Sequence, residues 1–197
     1  MSSNGVDVGK RRFLTLTGVA AGGVGAAAAA WPFLASLAPS ERAKALGAPV
    51  TVDISKLQEG QLLITTWRGS PVWIVRRSAE MLNNLKAVEG QLRDPESQEE
   101  QQPVYAQNEF RSVNPEILVM IGRCTHLGCS PSYRPDYPAQ DLGADWKGGF
   151  FCPCHGSKFD LAGRVYKSVP APLNMPVPPH RYEGDTTIVV GEDPEVA

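Results

Sequence analysis

The 197 residues carry 19 basic and 21 acidic side chains, a net charge of −2, together with 17 prolines and 19 glycines. This balance gives no polybasic surface and speaks against nucleic acid as a partner, and four cysteines are too few for a disulfide scaffold of this size. The length suits one domain with a sizeable core plus something smaller, and the Pro and Gly content favours short strands and many turns over a helical body.

Residues 1–12 are polar and end in Lys10-Arg11-Arg12, after which no charged residue occurs from Phe13 to Ala38. That run exceeds the ~20 residues a helix needs to cross a bilayer. It predicts a transmembrane anchor over 13–38, with 1–12 cytoplasmic by the positive-inside rule and the remainder exported. The segment is rich in Ala and Gly, and Gly18, Ala21, Gly22 and Gly25 form a row where another helix could approach closely. Lys10 to Thr15 resembles a twin-arginine export signal, with the departure that Phe13-Leu14 aligns the pair to Lys10-Arg11. Ser36-Leu37-Ala38 offers the small residues of a cleavage site, but the apolar run is longer than a signal core requires, which favours a retained anchor. Residues 39–49 (PSERAKALGAP) read as a flexible hinge. Such a segment spans about 3.3 Å per residue when extended and about half that when helical, so a change there would move the body far.

The body, 50–197, opens with an alternating strand, Val50 to Ile54. Gln61–Trp67 and Pro71–Arg76 flank Arg68-Gly69-Ser70 as a hairpin, with Trp67 and Trp73 expected in the core. Ser78 to Leu92 has helical composition, Ser78 as N-cap and Met81, Leu82 and Leu85 on one side. Residues 93–114 are polar and predict a surface excursion. The apolar run Glu116–Ile121 is a strand that delivers the chain to the first cysteine. Gly163–Tyr166 and Thr186–Val190 are further expected strands, separated by the proline-rich stretch 168–179.

All four cysteines and two of the three histidines fall in Cys124-Thr-His-Leu-Gly-Cys129 and Cys152-Pro-Cys-His-Gly-Ser157. Each segment offers a Cys and a His at metal-ligand spacing, a donor set that suits a tetrahedral zinc site or a [2Fe–2S] cluster with mixed ligands. A zinc site gives no reason for the extra cysteine in each. His180, outside both segments among prolines, reads as a surface residue.

With CTHLGC at 124–129, CPCHGS at 152–157, Pro170-Ala-Pro-Leu173 and Trp67-Arg-Gly-Ser-Pro71, the chain resembles, over nearly its whole length, the Rieske iron–sulfur subunits of proteobacterial ubiquinol-cytochrome c reductases (cytochrome bc complexes). The resemblance implies a mainly β fold, a Rieske-type antiparallel β-sandwich with a small cluster-binding subdomain at about 122–173, preceded by one N-terminal transmembrane helix. It implies one Rieske-type 2Fe-2S cluster per chain, with Cys124 and Cys152 on one iron, His126 and His155 on the other, and a disulfide between Cys129 and Cys154. His155, with His126 as the alternative, would accept the hydrogen bond from quinol; Leu127 would form the exposed tip. Ser157 would donate to a cluster sulfur and Pro170-Ala-Pro172 would cover the cluster. The implied activity is that of the catalytic iron–sulfur subunit of a quinol-cytochrome-c reductase. It takes an electron and a proton from ubiquinol and passes the electron to a c-type cytochrome, coupled to proton translocation. The expected setting is a dimeric complex with cytochrome b and a c-type cytochrome. The chain would be single-pass in the inner membrane, its Rieske domain periplasmic. Members with high potential usually have Tyr where this chain has Phe159, and loss of that donor implies a lower potential here. The rival reading is an exported Rieske electron-transfer subunit of another oxidoreductase, such as arsenite oxidase.

Overall fold

The computed structural model describes Gly5 and residues 7–194. The first residues of the expected cytoplasmic N-terminus therefore lie outside the described residues. The chain divides into two compact units, Met1–Ala45 and Leu46–Ala197.

The first unit is built on one helix, α1 (Val8–Ser36), which begins ahead of the uncharged run and takes in Lys10, Arg11 and Arg12. Asp7 caps it: its carboxylate accepts from the N–H groups of Gly9 and Lys10 at 3.0 and 3.1 Å, two of the donors every helix start leaves open. None of its residues is buried, and it is long and apolar enough to cross a membrane. The connector is not wholly irregular, since α2 (Glu41–Gly47) occupies most of it. The Ser40 hydroxyl accepts from Ala43 N–H, and Lys44 pairs with Glu41 at 2.7 Å.

Among its described residues the second unit contains three antiparallel sheets of three strands each. The middle one joins β2 (Leu62–Trp67), β3 (Ser70–Arg76) and β4 (Ile117–Ile121). Arg68 and Gly69 make the β2–β3 turn with φ of 50° and 70°, the double left-handed conformation that follows the natural twist of a hairpin. One face of this sheet, with Val72, Ile74, Ile117 and Val119, lies against β1 (Val50–Asp53) and β9 (Thr187–Val190), which pair with each other, β9 also pairing with β8 (His180–Tyr182). The other face, with Trp73, Val75, Leu118 and Met120, meets Phe150, Cys152 and Phe159 of the third sheet, β5 (Ser132–Arg134), β6 (Gly149–Cys152) and β7 (Ser157–Phe159). Burial on both faces is why Ile117–Ile121 reads as an unbroken apolar run rather than an alternating one.

Helix α3 (Ala79–Val88) starts where expected, with the Ser78 hydroxyl accepting from Met81 N–H, but gives way at Glu89–Gln91 to a 3-10 turn. Three expectations need correction. Gly163–Tyr166 forms no strand, because Gly163 is left-handed (φ 72°) and only isolated bridges tie Val165 to Phe159 and Tyr166 to Leu92. The segment 93–114 is not merely superficial, since it carries the buried Ser97, Ala106, Arg111 and Ser112 into the body. His180 is fully buried on β8 rather than at the surface; its Nδ1 lies 2.9 Å from Pro178 O, and its backbone N–H donates to the Tyr105 hydroxyl.

Candidate metal centre

Two loops, joined by the Cys129–Cys154 disulfide, form the centre. The first follows β4. Gly122 N–H donates to Pro71 O at 2.8 Å, and a Cβ at Gly122 would overlap the Trp73 indole, so only glycine brings the chain this close to the sheet. Cys124 N–H then donates to Cys129 O at 2.8 Å and Gly128 N–H to Cys124 O at 2.9 Å, closing the loop through Gly128 at φ 80°. The second loop joins β6 to β7 with the same closure: Gly156 N–H donates to Cys152 O at 2.9 Å, with Gly156 at φ 79°. In each loop a left-handed glycine lets the chain reverse within a few residues, with the first Cys buried and the His nearer the surface, half-buried at His126 and exposed at His155.

The Cys129–Cys154 disulfide joins the two loops. The sulfurs of Cys129, Cys152 and Cys154 lie within 4.8 Å of one another, but two of them are spent on that bond. The available thiols are therefore Cys124 and Cys152, 3% and 2% exposed, set against Phe150, Phe159, Met120 and Met175. Burial pushes the Cys152 thiol up, and the neighbouring Cys124 adds to this, so a thiolate pair here requires a cation to neutralise it. The His126 and His155 rings lie edge to face, centroids 4.7 Å apart. His126 Nδ1 is buried and has no hydrogen-bond partner, a cost the fold sustains only if something else binds that lone pair. Two buried soft donors and one orphaned imidazole nitrogen beside a second imidazole fit an iron–sulfur cluster with mixed ligands. The opposite rim is exposed at His155 and at Leu127, the latter 71% accessible.

A third segment closes the remaining side. Ala171 N–H donates to the Ser157 hydroxyl oxygen at 3.0 Å, which leaves that hydroxyl's own hydrogen free to be donated elsewhere. The Thr125 hydroxyl donates to Leu173 O at 2.6 Å and Arg93 Nη1 to Pro172 O at 3.2 Å. Of the site residues expected from the sequence, the structure sets Cys124 and Cys152 in one buried cluster, puts the His126 and His155 rings in contact and bonds Cys129 to Cys154, while Ser157 is buried beside Ala171 and Leu127 stands exposed on the first loop. Thr125 and Arg123, whose Nη2 donates to Gly69 O at 3.0 Å, also fix the first loop; only their place in or beside the first box signals them.

Comparison with known proteins agrees with this geometry. A model of the Rieske [2Fe-2S] domain matches residues 49–179, about two thirds of the chain. The chain belongs to the Rieske family. A second model, the TAT signal of the ubiquinol-cytochrome c reductase Fe–S subunit, matches residues 1–40 of this Rieske protein. The ubiquinol-cytochrome c reductase iron–sulfur subunit of Allochromatium vinosum is 58% identical over 193 residues, covering 98% of this chain and 93% of that protein. Its counterpart in Rhodospirillum rubrum is 41% identical over 191 residues, covering 96% of each. Among solved structures, a chain of a hyperthermophilic respiratory complex III matches with a TM-score of 0.50 at 26% identity, covering 88% of this chain and 98% of that one. The Rieske domain is therefore preceded by an export signal and by one apolar helix long enough to anchor it, and its cofactor is a Rieske-type [2Fe–2S] cluster.

Proposed function

We propose that this Rieske protein is the iron–sulfur subunit of a cytochrome bc complex, taking an electron and a proton from ubiquinol and passing the electron to a c-type cytochrome, with proton translocation as the outcome for the complex. The observation that carries the reading is the asymmetry of the site: both thiols and His126 Nδ1 are buried, while His155 and Leu127 are exposed. Cys124 and Cys152 are assigned to one iron and His126 and His155 to the other. When bound, the cluster supplies a one-electron acceptor of raised potential, because two neutral imidazoles replace two thiolates.

The chain's own residues do the rest. Leu127 presents an apolar tip that can seat in a quinol pocket of a cytochrome b partner and exclude water there. His155, exposed at the rim, would hold the cluster through one ring nitrogen and leave the other to accept a hydrogen bond from a quinol hydroxyl and take up its proton. The Ser157 hydroxyl, accepting from Ala171 N–H, has its hydrogen free for a cluster sulfur. The 170–173 segment, held by Thr125 and Arg93, keeps solvent from the covered side. On this reading the domain lies in the periplasm on a single inner-membrane helix of a dimeric complex, with residues 1–12 cytoplasmic, which the export-signal match and the apolar helix support.

The test is an EPR spectrum of the reduced membrane fraction with and without a quinol-site inhibitor. The expected result is a Rieske signal whose shape changes with the inhibitor. A signal indifferent to every quinol-site inhibitor, or a colourless zinc-replete protein, overturns the reading.

A further inference from the structure

Burying a charge costs several kcal/mol unless partners compensate it, and buried charges normally come in opposite pairs. This domain breaks that pattern. Among the described residues the fully buried charged groups are Arg77, Arg111, Arg164 and Asp160, all 1% exposed or less, so three cations face one anion. Asp160 is taken by Arg164, whose Nε donates to it at 2.8 Å. Arg77 donates instead to neutral groups: the carbonyls of Phe110, Pro115 and Leu161 and the Ser112 hydroxyl. Arg111 donates to the carbonyls of Ala162, Gly163 and Met175 and to Gln102 Oε1, with the half-buried Asp94 as its other acidic neighbour. Burial draws Arg77 down to about 9 and Arg111 to about 10, so both keep their charge at neutral pH.

The placement of these charges connects them to the metal centre. Arg77 and Arg111 both grip the 161–163 turn, which follows directly on β7, the strand that carries Ser157 and Phe159. Arg111 also holds the carbonyl of Met175, whose side chain lies in the same buried cluster as Cys124 and Cys152. A purely mechanical staple could be made from neutral donors, without the desolvation cost of two guanidiniums. A fixed cation behind a centre that gains negative charge on reduction favours the reduced form, and water cannot screen it there.

We propose that the buried guanidiniums of Arg77 and Arg111 act as positioning residues for the redox reaction, holding a positive potential behind the cluster that raises its midpoint potential. This rests on the Rieske assignment made above. It also offers a route by which a chain with Phe at 159 recovers some of the potential that a hydroxyl there would supply.

The test uses full-length chains in their membranes, titrated between oxidised and reduced with the EPR signal as readout. A unit charge ~12 Å away at an effective dielectric of ~20 changes an equilibrium about tenfold. Arg111→Met and Arg77→Met are therefore expected to lower the reduced-to-oxidised ratio at fixed ambient potential by up to about tenfold. Arg111→Lys should restore the wild-type ratio. Asp160→Asn, which removes the one buried anion, should move the ratio the opposite way. A merely structural role would not give opposite signs. Unshifted ratios, shifts of one sign in all variants, or variants that load no cluster at all would each overturn the proposal. Absence of any Rieske signal in the unmutated chain would instead overturn the cluster assignment itself.

Discussion

Phe159 is fully buried on β7, and the ring that stands where family members of high potential carry a tyrosine shares one core cluster with Cys124, Cys152, Phe150 and Met120. Phe159→Tyr is expected to raise the midpoint potential by returning a donor to a cluster sulfur, at a packing cost of about 1–3 kcal/mol or less. Redox titration beside denaturant unfolding separates the two effects, and an unchanged or lowered potential would refute the donor argument. His180 makes a second residue-scale prediction. Burial lowers its pKa below the usual 6.5, so the folded state holds it neutral while the unfolded chain takes up a proton. Its contribution is complete above about pH 6.5 and is lost as the pH falls from there toward the depressed folded value. Unfolding curves at pH 7.5 and 5.5 should show wild type ahead of His180→Gln at the higher pH and the gap narrowing at the lower. The burial of His180 was not legible from the sequence, because a histidine among prolines carries no periodic signal. The strand β8 that buries it has only three residues. The two Cys/His boxes were legible as a metal-binding pattern from their spacing, which left zinc and a mixed-ligand cluster both open until the family resemblance was added.

Among the elements, those long enough to show a pattern could be read directly. The β2–β3 hairpin, β4 and the Ser78 cap fall within a residue or two of their expected places, as a glycine turn between two apolar runs, an unbroken apolar run and a capping hydroxyl each have a physical signature. Strands β5 and β7 have three residues apiece, too few for a period, and β6 is a four-residue strand, Gly-Phe-Phe-Cys, that does not alternate. The buried arginines of 93–114 and of β7's following turn were equally hidden, since a polar composition predicts exposure until a fold supplies carbonyls to satisfy it. The connector yields its own prediction. α2 spans Glu41–Gly47, and the expected hinge would work by exchanging such helical turns for extended chain. Replacing Ala43 to Ala45 with prolines forbids the helix and stiffens the segment. Quinol:cytochrome c turnover should fall several-fold while the EPR spectrum keeps its shape; unaffected turnover would argue against a hinge.

At the scale of the whole molecule, the Rieske domain and α1 are separate units with one chain segment between them. If α1 remains as an anchor, the mature protein should carry residues upstream of Ala38, stay with membranes through alkaline washing and leave only in detergent. Mass spectrometry of the detergent-extracted chain checks this, and a mature N-terminus at Pro39 would refute it. The disulfide between the two loops has a consequence best put in coordination terms. On the proposed assignment each box is a bidentate arm, one thiol and one imidazole, and neither arm alone would saturate a cluster. The bond from Cys129 to Cys154 turns two such arms into a single tetradentate chelator. An arm that lets go is then held at high effective concentration beside the metal it has just left. On that assignment loss of iron would require the second arm to open before the first rebinds, and reducing the disulfide should speed it.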